Sequence, residues 1–176
     1  MQTLEAIAKR KSTRDFDPNK VVSDELIETV VKAGCQAPVG GNDRKSLHLT
    51  VCRNREILDE INQSTAAAMK MEPRDFFYGA PVVIIVSASE KQMAPGIECA
   101  NAACVIENML LAATDAGLDN IYLWGGVQAL GKNADMCAKM GIPEGFKPVS
   151  AAAIGYSKSG SAQPRELSVS LETNYI

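Results

Sequence analysis

The chain has 176 residues, a net charge of -3, and 46% hydrophobic against 22% charged residues. That length suits one domain with one good core. The acidic balance, with a pI near 5.3, argues against non-specific nucleic-acid binding. No apolar run reaches the roughly 18 residues of a membrane span, and residues 1–5 lack the order of a signal peptide, so a cytoplasmic location is expected. Five cysteines fall at irregular spacing with a single histidine, His48. That pattern disfavours a zinc site and favours reduced thiols packed as small hydrophobes.

In chain order, Thr3 to Arg10 reads as a short helix capped by Thr3, with Leu4, Ile7 and Ala8 on one face. Pro18 closes a loop that begins at Lys11. Ser23 caps a second helix, with Asp24 and Glu25 in its first turn and an apolar stripe of Leu26, Ile27, Val30 and Val31. Gly34 reads as its end. Gln36 to Arg44 is a loop, and Leu47 to Cys52 alternates as a strand with one buried face. Arg55 to Met71 is helical in pattern, followed by a break from Pro73 to Gly79. The run Val82 to Val86 is β-branched and reads as a central strand buried on both faces. Ile97 to Ala116 is apolar on most sides, as a helix running through the core would be, and Gly117 reads as its cap. A short strand from Ile121 to Trp124, a helix from Asn133 to Met140 and a strand from Pro148 to Tyr156 follow. The polar tail from Ser157 ends in a possible strand, Leu167 to Leu171. A mixed sheet with helices on both faces is the simplest packing.

Candidate chemistry sits in the connections. Arg10, Lys11, Ser12, Thr13 and Arg14 put three cations and two hydroxyls just past a helix end. In an extended loop Arg10, Ser12 and Arg14 share a side, which suits a phosphate ester as well as it suits a solvated basic turn. Pro38, Val39, Gly40, Gly41 and Asn42 allow close backbone approach to a flat ligand, or make a plain turn. Trp124, Gly125 and Gly126 follow a strand, where free N–H groups meet ligands in α/β sheets. Trp124 reads equally as a core residue or as a ring beside a cofactor. Arg165, in the tail, gains meaning only if the tail folds back to the first cluster.

Together and in this order, these segments resemble the FMN-dependent nitroreductase family. Arg10-Lys11-Ser12-Thr13-Arg14-Asp15-Phe16 looks like the family's Arg-x-Ser-x-Arg/Lys-x-Phe/Tyr signature. Ala37-Pro38-Val39-Gly40-Gly41-Asn42 looks like its Ala-Pro-Ser-x-x-Asn turn. Tyr78-Gly79-Ala80-Pro81, Asn108 to Leu118, Trp124-Gly125, Phe146-Lys147-Pro148 and Ile154-Gly155-Tyr156 are similar to its core. The resemblance implies an α+β fold: a three-layer α/β/α sandwich around a mixed, mostly antiparallel sheet. It implies one FMN-binding domain over residues 1–176, with 157–176 crossing to the partner of a homodimer that holds FMN at the interface.

By the same resemblance, Arg10, Ser12, Arg14 and Arg165, with Lys11 in the same run, would hold the FMN phosphate and ribityl chain. Pro38, Val39, Gly40 and Asn42 would approach the ring from the other subunit. The backbone at Trp124, Gly125 and Gly126 would face ring nitrogen N5. NADH or NADPH would reduce the flavin, and a small-molecule acceptor such as a nitroaromatic or quinone would oxidise it, in ping-pong order. No protein nucleophile is needed, and Arg14 is the candidate for stabilising negative charge at the N1 edge. A different flavin reaction, such as fragmentation or dehalogenation, and a non-catalytic flavin-binding role are the alternatives. The chain departs from the family pattern after Asn42, where Asp43-Arg44-Lys45-Ser46 replaces Gln-Pro-Trp. Its shortness implies an open pocket.

Overall fold

A computed structural model describes residues 1–176. The elements are α1 (Thr3–Lys9), α2 (Asp24–Cys35), β1 (Leu47–Cys52), α3 (Arg55–Met69), β2 (Val82–Ser89), α4 (Ile97–Asp115), β3 (Asp119–Leu123), α5 (Gly125–Leu130), α6 (Ala134–Lys139) and β4 (Phe146–Gly155). The sheet runs β1-β2-β4-β3. All its strand pairs are antiparallel. The parallel component is confined to an isolated bridge between Ser12 and Asn120.

β2 is the central strand because its β-branched run is apolar in both directions. Its first seven residues are buried. Val82, Ile84 and Val86 face one apolar cluster with α2 and α4. Val83 and Ile85 face a second, with residues of α3, α5 and α6. Two helical layers therefore enclose one sheet, as the sequence implies. β4 tolerates the same position with small residues: Ala151, Ala152 and Ala153 are fully buried.

α4 buries Val105, Ile106, Met109, Leu110 and Ala113. It is long and apolar enough to cross a membrane by length and composition alone. One face of it packs against α2, β2 and β4, while Cys99, Ala100, Ala103 and Cys104 stay exposed, so the helix lies against the core on one side and is not enclosed by it on all sides. Asn120 fixes the end of the helix from below, donating Nδ2 to Leu110 O at 3.0 Å and to Thr114 Oγ1 at 2.9 Å.

Several local expectations change. Gln2, not Thr3, caps α1, without a side-chain bond. The helix buries Ala6 and Ala8 and leaves Leu4 66% exposed with Ile7 also outward, so of the expected apolar face only Ala8 reaches the core. α2 does not stop at Gly34. The glycine is buried and lies under Met109, where a Cβ would come within 2.4 Å of the methionine methyl, so its smallness serves helix–helix approach. α4 is capped by Ala116, with Gly117 just beyond at φ +79°. The stretch after β3 winds into α5 instead of remaining a glycine loop. The tail forms no strand at Leu167–Leu171.

None of the five cysteines is paired; Cys52 is buried, but Cys35, Cys99 and Cys104 are exposed, contrary to the expectation of packed thiols. Burial pushes the Cys52 and Cys137 thiols up, away from the reactive thiolate.

Met109 is fully buried between α4 and α2. Met109→Ala is expected to lower unfolding stability by about 2–5 kcal/mol. Urea denaturation measures it, as a lower midpoint at unchanged slope.

Candidate active site

Residues 10–17 belong to no helix or strand, and they are held by other segments. The Thr13 N–H donates to Asn120 O at 2.9 Å, Phe16 N–H to Tyr78 O at 3.1 Å, and Asp17 N–H to Tyr156 O at 2.8 Å. The side chains of Thr13 and Phe16 turn inward and are buried. Arg14 is exposed and Ser12 half-buried. Lys11 lines a separate recess with Lys9 and Asp119. The structure therefore divides the basic run instead of gathering it.

The tail returns to this segment. Asp15 accepts the Ser157 hydroxyl at 2.9 Å, the Ser159 N–H at 3.0 Å and the Ser159 hydroxyl. Those two hydroxyls, Ser159 first, hold the Asp15 carboxyl below the usual carboxylate range. Asp119 accepts the Ser157 N–H at 2.8 Å. Further along, the Arg165 N–H donates to Ala8 O at 2.9 Å and its Nη2 to Arg10 O at 2.9 Å. Arg165 thus covers the last carbonyls of α1, where a helix end favours a cation. Arg10 keeps a loose ion pair, Nε to Glu107 Oε1 at 3.9 Å.

Arg14, Trp124, Gly125 and Gly126 meet in one open recess of about 220 Å³, with Phe76 and Tyr78 on its wall. Trp124 is 59% exposed, which rules out the core role left open for it. A Cβ at Gly125 would meet nothing within 4 Å, so the backbone there is open to an approaching group. As the first residues of α5, Gly125 and Gly126 have N–H groups without intrahelical acceptors.

One carboxylate shapes the wall. Asp75 accepts Phe77 N–H at 2.8 Å, Gly79 N–H at 2.8 Å, Asn62 Nδ2 at 3.0 Å and Arg55 Nη2 at 3.1 Å. Asn62 Oδ1 in turn accepts Phe76 N–H at 2.9 Å. This knot holds Tyr78 at φ +56° and Gly79 at φ +80°. A Cβ on Gly79 would come within 2.9 Å of Phe16 O, so the turn also fixes the approach of segment 10–17. Burial pushes the Asp75 carboxyl up, but the bonds from Phe77, Asn62, Gly79 and Arg55 outweigh it and hold it below the usual range. Neither Asp75 nor Asn62 was among the residues singled out from sequence. An aspartate just ahead of an aromatic-glycine turn is a side chain able to bond the backbone two residues on, and that was the available signal.

The 38–42 turn lies elsewhere. Gly40 N–H donates to Asn101 Oδ1 at 2.9 Å, and Asn42 adopts φ +54° after Gly41 at +61°. Pro38 and Asn42 are exposed. Val39 lines a second recess with Cys35 and Leu47. Within one chain, none of these residues lines the recess of Arg14 and Trp124.

Residues 7–156 match the family model described as Nitroreductase family. The chain belongs to the nitroreductase family. A putative NADH dehydrogenase/NAD(P)H nitroreductase of Methanothermobacter thermautotrophicus is 32% identical over 158 residues, covering 89% of this chain and 78% of the relative. A nitroreductase with bound FMN from Desulfitobacterium hafniense is 26% identical, with a TM-score of 0.84 over 100% of this chain and 99% of that one. Another with bound FMN, from Bacteroides fragilis, is 26% identical with a TM-score of 0.79 at the same coverage. The expected α+β nitroreductase fold is therefore present, and membership makes this protein an oxidoreductase.

Asp75 has a depressed native pKa, so its contribution to stability is complete above the unfolded carboxylate value of about 3.9 and is lost as pH falls through the native value. Asp75→Ala is expected to cost about 1–3 kcal/mol by stranding the Phe77 and Gly79 donors. It should also flatten the acid limb of a plot of unfolding midpoint against pH below about 4.

Proposed function

We propose that this nitroreductase is a homodimer that holds FMN between its subunits and carries reducing equivalents from NADH or NADPH to nitroaromatic, quinone or similar acceptors. The observation that carries this reading is the convergence of Arg14, Trp124 and the open Gly125-Gly126 backbone on one recess, in a chain whose fold relatives bear FMN. The donor set fits that group. Guanidinium forks at Arg10, Arg14 and Arg165 with the Ser12 hydroxyl suit a phosphate and polyol, and open glycine backbone suits a flat ring.

The bound flavin would supply the hydride-accepting and hydride-donating centre at N5. This chain's own residues would bind and orient. Arg10, Ser12 and Arg165 would hold the phosphate end, and Arg14 would supply positive charge toward the ring edge that becomes negative on reduction. The N–H groups at Gly125 and Gly126 would face N5. Pro38, Val39, Gly40 and Asn42 lie outside their own chain's recess, which suits a contribution across a dimer. Overall, NAD(P)H gives up a hydride, and the acceptor takes that hydride's two electrons and proton together with a second proton from solvent.

A partner has surface to cover. Ala100, Ala103 and Cys104 form an exposed stripe on α4 at helical spacing, with Leu111 partly exposed beyond them. Leu4, Leu167, Val169, Leu171 and Tyr175 add exposed apolar groups that a partner subunit would cover. Of the expected crossing tail, residues 157–165 are tied to their own chain through Asp15, Asp119, Ala8 and Arg10, so 166–176 would be the part that crosses onto the partner. Five unpaired cysteines suit a reducing cytoplasm, where the nicotinamide donors are at hand.

Purified protein is expected to be yellow, and anaerobic titration with NADH or NADPH should bleach the absorption. Colourless protein that takes up no FMN on soaking and dialysis sinks the proposal. Colour that neither nicotinamide bleaches leaves a binding role alone. Arg10→Ala and Arg14→Ala should each weaken FMN binding by roughly one to two decades, the size of a lost charge-assisted bond. Fluorescence titration with FMN measures this.

A further inference from the structure

Arg74 is the cation that the reading above leaves without a task. It lies in the break between α3 and β2, is exposed, and its guanidinium carbon sits 4.6 Å from the centroid of the Phe76 ring. That places it in cation–π range, which keeps a long side chain in one posture while its N–H edges stay free. It lines the same recess as Arg14 and Trp124.

Two further observations decide what that position is for. Neither Arg74 nor Arg14 enters an ion pair. None of the 13 residues lining the recess is acidic, and nine are hydrophobic. The nearest carboxylate in sequence, Asp75, is committed to Arg55, Asn62 and two backbone donors. Asp59, the other acid on the adjoining depression, also pairs with Arg55. An apolar, aromatic concavity thus carries two unneutralised guanidinium groups and no internal counter-ion.

We infer that Arg74 selects the acceptor: it favours flat aromatic molecules carrying a carboxylate or sulfonate over neutral ones of the same shape. The inference rests on the oxidoreductase reading, in which Arg14 serves the cofactor and Arg74 is the cation left for what enters next to it. The ring of such an acceptor packs among Phe76, Trp124 and their apolar neighbours, and its anion meets the free edge of Arg74. A positively charged concavity also concentrates anionic ligands at its mouth, so the preference weakens with salt.

The test compares 4-nitrobenzoate with neutral 4-nitrobenzamide on the FMN-loaded protein. Isothermal calorimetry on the oxidised protein gives Kd, and NADH-driven turnover gives KM. The wild-type protein should prefer the anion in both measurements and lose the preference as ionic strength rises. Arg74→Gln should raise Kd and KM for 4-nitrobenzoate about tenfold, on the scale of one charge-assisted bond partly open to water. It should leave 4-nitrobenzamide within about twofold, and Arg74→Lys should restore part of the anion preference.

Equal weakening of both compounds overturns the inference, because Arg74 would then only support the Phe76 wall. A loss confined to FMN retention, or to KM for NADPH, also overturns it and assigns Arg74 to cofactor or donor. Absence of bound FMN overturns the proposed function instead. Flavin absorbance recorded before either nitro compound is added tells that failure from a failure of Arg74, so the two are distinguishable.

Discussion

Everything in the site depends on how residues 10–17 are tied down. This segment has no ladder of its own, so its polar backbone must find partners elsewhere or be left unsatisfied on burial. It finds three: Asn120 in β3, Tyr78 ahead of β2, and Tyr156 just past β4. Those points belong to strands that are neighbours in the sheet but distant in sequence. The segment that carries Arg10, Ser12 and Arg14 is therefore positioned only when the sheet is complete. Cations on a mobile loop would lose side-chain and backbone freedom on meeting a ligand. Here the backbone share of that cost is met in folding.

The same logic extends outward from the sheet. β2 and β4 can sit centrally because one is β-branched and the other is small, which lets helices lie close on both faces. Met109 over Gly34 is the sharpest instance of that close approach. On the other face, the break before β2 is shaped by a single carboxylate rather than by apolar packing. Asp75 gathers two backbone donors, an amide and a guanidinium, and thereby fixes a left-handed tyrosine and a left-handed glycine in succession. Phe76 and Tyr78 face the recess as a result. A polar knot so placed ties the aromatic wall to α3 through Asn62.

The elements with strong periodicity were legible in the sequence, and the reason is physical. β2 buries seven of its eight residues and α4 a whole apolar face, eight of nineteen, so burial wrote itself into their composition. The N-cap at Ser23 was legible because one hydroxyl meets one free N–H. α5 was not, because two leading glycines speak against a helix, and only packing of Val127, Ala129 and Leu130 overrides them. The outward turn of Leu4 was missed because an apolar stripe says that something will cover it, not which body. Of the site, the chemistry of Arg14 and Trp124 could be read, but their convergence could not. Arg74 drew no notice, since an exposed arginine in a break has no pattern. Its meaning comes from Phe76 beneath it and from acids that are already committed.

The bonds from Arg165 to the carbonyls of Ala8 and Arg10 link two parts of the chain that sequence keeps 157 and 155 residues apart. A helix as short as α1 has little cooperativity with which to hold its own final turn. Its closing carbonyls are instead covered by a side chain synthesised long after the helix itself. The cap of α1 therefore waits for residue 165. Anything that peels 157–165 away also loosens α1, so the two segments behave as a single mechanical unit.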